Sequence, residues 1–438
     1  MIRIGILILL FFFRLFNPKK FSASRSVEGN SGHFEKGEAV WWGYKFFYKQ
    51  IEEGESGKGI PEFFARHTMN FEVPAGFVPE TSAVISSGGD IMPTPHFNRN
   101  TAARFWEETE DFFFNADLVC ANLEAPVADK EISSIAKNVL SPPAMNNTPE
   151  AFDLCWRGGK GITCYSTANN HALDMGEEGL LQTLDFLDQK RVIHAGTSRS
   201  VEEQDNFPVV DIKGIRVAIL SYTFSLNRSK PPEGREYLVN HLRLNLPGCD
   251  ITQIKKQIEF ARKEKKADLV AACLHWSLEF ESFPIENVMN TGHRLIEAGI
   301  DLILGNHSHT LQSAECYSCP APEGEIKRKG LILYAQGDLV SWHNPANSRL
   351  TALTRITVRK GTLNGAPLAL ISNVEFKPLY SYLVFDRKER CSDFRLLDLA
   401  SLAEQVEKGS PAVPLSPKQR KEVLRLRKLQ QRVLPAAP

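Results

Sequence analysis

Side chains that bind metals stand, again and again, just past apolar runs of strand length. Ala83-Val-Ile-Ser-Ser-Gly leads to Asp90, and Leu118-Val-Cys-Ala-Asn leads to Glu124. Gly161-Ile-Thr-Cys-Tyr-Ser-Thr leads to Asn170 and His171, Leu269-Val-Ala-Ala-Cys-Leu to His275, and Leu302-Ile-Leu-Gly-Asn to His307 and His309. Each run reads as a buried strand. In an open α/β sheet the strand ends converge on one crevice, where ligands and catalytic groups gather. Carboxylate, amide and imidazole arriving repeatedly at that edge is what a two-metal hydrolase needs.

The order of elements narrows the fold further. From Thr81 to His343 strand runs alternate with helical stretches over about 101–115, 177–189, 251–265 and 285–298, the α/β pattern. Two β-branched runs flank Lys213-Gly214, which predicts a hairpin. Later, 353–359 and 371–379 alternate apolar and polar residues, as half-buried antiparallel strands do. Parallel units first and hairpins later predict a mixed two-sheet sandwich covered by helices. The expected division is an N-terminal extension over 1–80, a catalytic-type domain over 81–385 and a helical, basic tail over 386–438.

Both ends carry readings of their own. Met1 to Phe13 is an apolar run with one early arginine, the length of a signal-peptide core and too short to cross a bilayer. It reads as an export signal, an uncleaved anchor or an over-long gene start. In the tail, Lys418, Arg420, Lys421, Arg425, Arg427, Lys428 and Arg432 outnumber the single acid Glu422. Such a run is usually a solvated helix face; the alternative is binding to an anionic polymer or to lipid headgroups.

Composition removes some functions. Lysine plus arginine equals aspartate plus glutamate at 52 each, so no whole-chain field draws the protein to nucleic acid. Of the eight cysteines, Cys120, Cys164 and Cys273 sit in strand runs as small buried hydrophobes. Cys316 and Cys319 form a lone CxxC without the second pair that structural zinc would want, leaving a local disulfide or two free thiols.

The motifs differ in weight. Gly88-Gly-Asp90 and Asn122-Leu-Glu124 each place an acid after a strand, and a buried glutamate there needs a partner. Ala168-Asn-Asn170-His171 is poor strand continuation and poor core filling. Asn170 can offer a carbonyl oxygen to a metal, His171 can act as acid or oxyanion stabiliser, and Asp174 can orient that imidazole. His307 and His309, two apart in a tight turn, can bind adjacent metals as neutral imidazoles. The oxygen-rich donor set suits two divalent ions of the manganese, iron or zinc kind.

At this point a resemblance emerges. Gly-Asp-Ile-Met, Asn-Leu-Glu-Ala-Pro, Ala-Asn-Asn-His-Ala-Leu-Asp-Met-Gly, Leu-His-Trp-Ser-Leu-Glu, Gly-Asn-His-Ser-His and Leu333-Tyr-Ala-Gln-Gly-Asp-Leu-Val follow one another over about 84–340. Together they resemble the CapA family of capsule and poly-γ-glutamate synthesis proteins, relatives of calcineurin-like metallophosphoesterases. The resemblance implies a four-layer α/β/β/α sandwich with mixed sheets. It implies that Asp90 binds the first metal, that Glu124 bridges both, that Asn170, His275 and His307 bind the second, and that His309 returns to the first. His171 would be the catalytic histidine. Phosphoesterases of this superfamily carry a histidine where this chain has Met92, a poor ligand for a hard ion, with His96 a nearby candidate to complete the site.

The implied function is dinuclear metal-dependent hydrolysis of a phosphoester or γ-glutamyl-type bond through metal-activated water, in cell-envelope polymer biosynthesis. Two alternatives share the fold: a non-catalytic polyanion-binding or export accessory protein, and a nucleotide-directed phosphoesterase. The implied partners are an anionic polymer or phosphorylated substrate, together with other capsule or polymer-synthesis proteins at the membrane, and not nucleic acid. The implied location is the bacterial cell envelope.

Overall fold

The computed structural model describes residues 36–47, 50–52, 55, 57–130, 143–227, 229–320, 327–341, 343, 345–386 and 390–434. The apolar run at 1–13 lies outside them. Two mixed sheets carry the chain. In spatial order the larger holds β16 (Cys391–Asp398), β15 (Ala366–Phe385), β14 (Leu350–Leu363), β1 (Phe77–Ile91), β2 (Leu118–Leu123), β5 (Cys164–Ser166) and β6 (Ile193–Ala195). A further strand, β13 (Asp338–Val340), lies parallel to the end of β1. The smaller sheet holds β11 (Ala314–Ser318), β12 (Lys329–Leu333), β10 (Leu302–Asn306), β9 (Leu269–His275), β8 (Ile215–Thr223) and β7 (Val209–Ile212). A short hairpin of β3 (Trp156–Arg157) and β4 (Lys160–Gly161) stands apart.

Within each sheet a parallel centre meets antiparallel edges. Strands β1, β2, β5 and β6 run parallel, as do β8, β9, β10 and β12. The antiparallel members are β14 to β16 on one sheet, with β7 and β11 on the other. The hairpin expected at Lys213-Gly214 joins β7 to β8, and both turn residues take positive φ, 55° and 82°. That is the twist-matched turn that two-residue hairpins favour.

Alternation along β2 explains the layering. Leu118 and Cys120 enter the core shared with the smaller sheet, whereas Val119, Ala121 and Leu123 enter a second core with Phe105, Phe113 and Phe152. A strand buried on both faces sits between layers. Helices Thr252–Lys263 and Glu286–Glu297 press Ile254, Ile258, Val288 and Leu295 into the first core. The expected mixed-sheet α/β sandwich is what the chain forms.

The two flanks are joined to this body. The C-terminal segment supplies edge strand β16 and then helices Leu399–Glu407 and Pro417–Val433. In the last helix Val423, Leu426, Leu429 and Val433 are buried, while Lys421, Arg425, Lys428 and Arg432 stay exposed on the other face. On the N-terminal side, helix Ile60–Arg66 puts Ile60 and Phe64 into the core. Helix Lys36–Phe47 buries Lys45, whose Nζ is 3.1 Å from Glu281 Oε1. Among the described residues no helix is long and apolar enough to cross a membrane.

Candidate metal centre

The carboxyl ends of β1, β2, β5, β9 and β10 bring the predicted ligands to one rim between the sheets. Asp90 is the penultimate residue of β1 and Glu124 follows β2, both without solvent exposure. His275 is the last residue of β9, and His307 and His309 follow β10. Gly89 is required here: a Cβ on it would lie 1.7 Å from the Gly337 carbonyl oxygen, so only glycine lets β13 run beside β1. That approach sets Asp338 opposite Asp90.

Short distances tie the group together. Asp90 Oδ1 accepts from Asn122 Nδ2 at 2.7 Å, and Oδ2 accepts from the His307 backbone N–H at 3.0 Å. His275 Nε2 is 2.9 Å from Asn170 Oδ1, 3.1 Å from His307 Nδ1 and 3.4 Å from Glu124 Oε1. His309 Nε2 lies 3.9 Å from Glu124 Oε1, and its Nδ1 lies 3.0 Å from Asp338 Oδ1. His307 and His309 adopt φ of 102° and 53°, a region that non-glycine residues rarely occupy. Strain of that kind persists where surrounding structure enforces it, and it collects at functional sites.

Three overlapping groups of ligand atoms each close to within 4.8 Å: Asp90, Glu124 and His275; Glu124, His307 and His309; and His309, Asp338 and His343. The rim fits a cation by a direct test. Both carboxylate oxygens of Glu124 and the Nε2 of His307 are buried without a hydrogen-bond partner. Leaving such atoms unpaired costs about 1–3 kcal/mol each, more when charged. A divalent ion would satisfy all of them together. Glu124, shared by two groups, has the position a bridging carboxylate needs.

Electrostatics agree. Burial, together with the charges of Asp90 and Asp338, pushes Glu124 well above the usual carboxylate range. Burial raises Asp90 to about 6, with His309 opposing and Asp338 adding. Burial and the neighbouring His309 hold His275 well below the usual imidazole range. Burial and the nearby His275 do the same to His307. Both are therefore kept neutral, the form that ligates. His309 is the exception: burial opposes its charge, but Asp338 outweighs it and raises the group to about 9. For Asp338 itself burial favours the neutral acid, yet His309 and His343 hold it far below the usual range.

Beside this rim, His171 Nδ1 is 2.6 Å from Asp174 Oδ2, which also accepts the Met145 backbone N–H at 2.7 Å. The residue before His171, Asn170, has its Oδ1 2.9 Å from His275 Nε2, which places His171 beside the ligands. His96 is elsewhere: it stands edge-on to Phe385 at 5.2 Å and belongs to none of the three groups. The sequence reading left out Asp338, His343 and Glu279. Asp338 was visible only as part of the closing block 333–340, with no site role, and its place beside Asp90 depends on the close approach at Gly89. Glu279 Oε1 sits 3.8 Å from His309 Nε2, and the Trp42 indole N–H donates to Glu279. All eight cysteines, Cys316 and Cys319 included, are free thiols.

The fold and rim define an α/β sandwich of two mixed sheets with a candidate metal centre on its strand ends. The chain belongs to the bacterial capsule synthesis protein PGA_cap family, which it matches over residues 84–343. It is 26% identical over 317 residues to the "Capsule biosynthesis protein CapA" of Bacillus anthracis, covering 68% of this chain and 72% of that one. It is also 26% identical over 280 residues to the "PGA biosynthesis protein CapA" of Bacillus subtilis, covering 62% and 67%. The calcineurin-like phosphoesterase YfkN from Bacillus subtilis superposes over 80% of this chain and 100% of that one, at 12% identity and a TM-score of 0.36. A score that low carries no weight; the fold stands on the sheets described above.

Proposed function

We propose that the protein is a dinuclear metal-dependent hydrolase of capsule or poly-γ-glutamate biosynthesis, acting on a phosphoester or γ-glutamyl-type bond. The observation that carries this reading is the pair of unpartnered Glu124 oxygens at the meeting point of two ligand groups. By the family resemblance Asp90, Glu124 and His309 would hold one cation, and Glu124, Asn170, His275 and His307 the other, whereas the closest ligand atoms group Asp90 with His275 and His307 with His309 about Glu124. Bound divalent cations supply positive charge that acidifies water and stabilises negative charge on oxygen. The biosynthetic setting comes from the relatives named for capsule and PGA biosynthesis.

His171 does the proton work in this reading. Asp174 accepts from Nδ1, which fixes the ring and leaves Nε2 to carry the proton that moves to the leaving atom. Asp174 is itself pinned by the Met145 N–H, so the imidazole is oriented before substrate arrives. An anionic polymer or phosphorylated compound is the substrate class that a cationic rim favours.

The test combines metal analysis of purified protein with assays on generic phosphomonoester, phosphodiester and γ-glutamyl substrates. The expected result is two divalent ions per chain and turnover on one substrate class. His171→Ala should lower kcat by about 10²–10⁴ with metal content unchanged, the usual range for a lost general acid. Full metal occupancy without turnover on any class, and no effect of His171→Ala on polymer formation in cells, would overturn the enzymatic reading.

A further inference from the structure

We infer that Asp338 and His343 form a brace that positions His309 for the metal rim, selecting which of its two nitrogens faces Glu124. The inference rests on the metal reading above and deepens it. A neutral imidazole has one N–H and one lone pair, and the partner of the first decides where the second points. Asp338 Oδ1 lies 3.0 Å from His309 Nδ1. An ionised carboxylate only accepts, so Nδ1 keeps its proton, and Nε2 is the nitrogen that would give up a proton to offer its lone pair to a cation. Nε2 is the nitrogen on the Glu124 side, 3.9 Å from its Oε1.

The brace is held from behind. Asp338 Oδ2 is 2.8 Å from His343 Nδ1 and accepts from the Ser341 hydroxyl, so neither oxygen is free to swing away. His343 lies against His309 with the rings tilted and their centres 4.5 Å apart, and Phe280 and Phe46 flank it at 5.8 Å and 6.3 Å. Asp338 is buried, and hydrogen bonds in such surroundings are stronger than in water. The brace is also part of the strand pair that carries the first carboxylate, since the Asp90 N–H donates to Gly337 O at 3.0 Å.

Asp338 and His343 are positioning residues, so their loss should act on metal affinity at the His309 side and spare the His275 side. The experiment titrates zinc into the full metal-free chain against a chromophoric chelator, resolving two affinities. With Asp338→Leu, one affinity should fall 10- to 100-fold and the other stay, the size of effect seen for partners of metal-ligating histidines. Asp338→Asn keeps an acceptor oxygen and should fall less. In zinc-loaded protein labelled with ¹⁵N-histidine, NMR should find His309 protonated at Nδ1 in the wild type and in Asp338→Asn.

A wild type that takes up no zinc would defeat the metal reading itself. Two wild-type sites with unchanged affinities in both variants would overturn the brace alone. A His309 protonated at Nε2 and bound through Nδ1 would do the same. Should Asp338→Leu fail to fold, Asp338→Asn and the tautomer measurement still decide the matter.

Discussion

Two of the buried glutamates, Glu422 and Glu124, lie in different regions and are treated in opposite ways. In the C-terminal helix Pro417–Val433, Glu422 receives Arg349 Nη1 on both oxygens at 2.9 Å and the Tyr380 hydroxyl at 3.0 Å. At the strand-end rim, Glu124 is more deeply buried and receives no hydrogen bond. The first acid is closed within the protein and ties a helix to the sheet. The second is surrounded by imidazoles and carboxylates and is left open. A buried charge fully satisfied by its neighbours belongs to architecture, whereas one left unsatisfied among convergent donors marks a place for something else.

The strongest way to break this contrast is Glu124→Gln. Because one carboxylate serves two groups, zinc affinity at both sites should fall by more than the roughly 100-fold typical of outer-shell changes. The metal-free protein should melt no lower than wild type, since burial already disfavours the charge of Glu124 and a neutral amide of the same shape carries none. A lower melting temperature with intact zinc binding would reverse the assignment. The mirror experiment is Arg349→Ala, which strands Glu422. It should cost about 3 kcal/mol in denaturant unfolding, the lower end for breaking a buried pair, with zinc stoichiometry unchanged.

Proton linkage sharpens the comparison next. Asp90 and His309 both have folded-state values raised above their ordinary ones, to about 6 and about 9. Each therefore contributes stability to the metal-free protein at low pH that is lost as pH rises through those values. Metal requires the deprotonated forms, so its binding strengthens over the same window. The zinc-induced rise in Tm should be larger at pH 9 than at pH 6, with saturation at 100 times Kd worth about 2.7 kcal/mol. A shift that shrinks with rising pH would contradict the ligand set. The smallest effect belongs to the C-terminal region: Ser416 caps its helix in a reciprocal capping box with Gln419, and Ser416→Ala should cost about 1 kcal/mol without touching metal.

Much of the rim was legible in the chain because its signal is local. An apolar run ending in Asp90, Glu124 or His275 announces both a buried strand and a polar group that the strand cannot absorb. The pairing of His307 with His309 was readable for the same reason. Asp338 and His343 were not, because what makes them part of the rim is a neighbour 248 residues away, the register of Asp338 beside Asp90. At the two ends the long-range packing was hidden on similar grounds. Counting charges in 418–432 hid the apolar stripe of Val423, Leu426, Leu429 and Val433, which packs the helix on the body. For helix Lys36–Phe47, nothing local could say that Trp42, Lys45 and Phe46 would meet Glu279, Glu281 and His343.

The central claim is that Glu124 lies between two cations. Anomalous diffraction from crystals grown with zinc, measured on both sides of the zinc edge, tests it most directly. Two anomalous peaks should flank the Glu124 carboxylate, one near Asp90 and His309 and the other near Asn170, His275 and His307. Zinc-saturated crystals with no peak at that carboxylate would contradict the account.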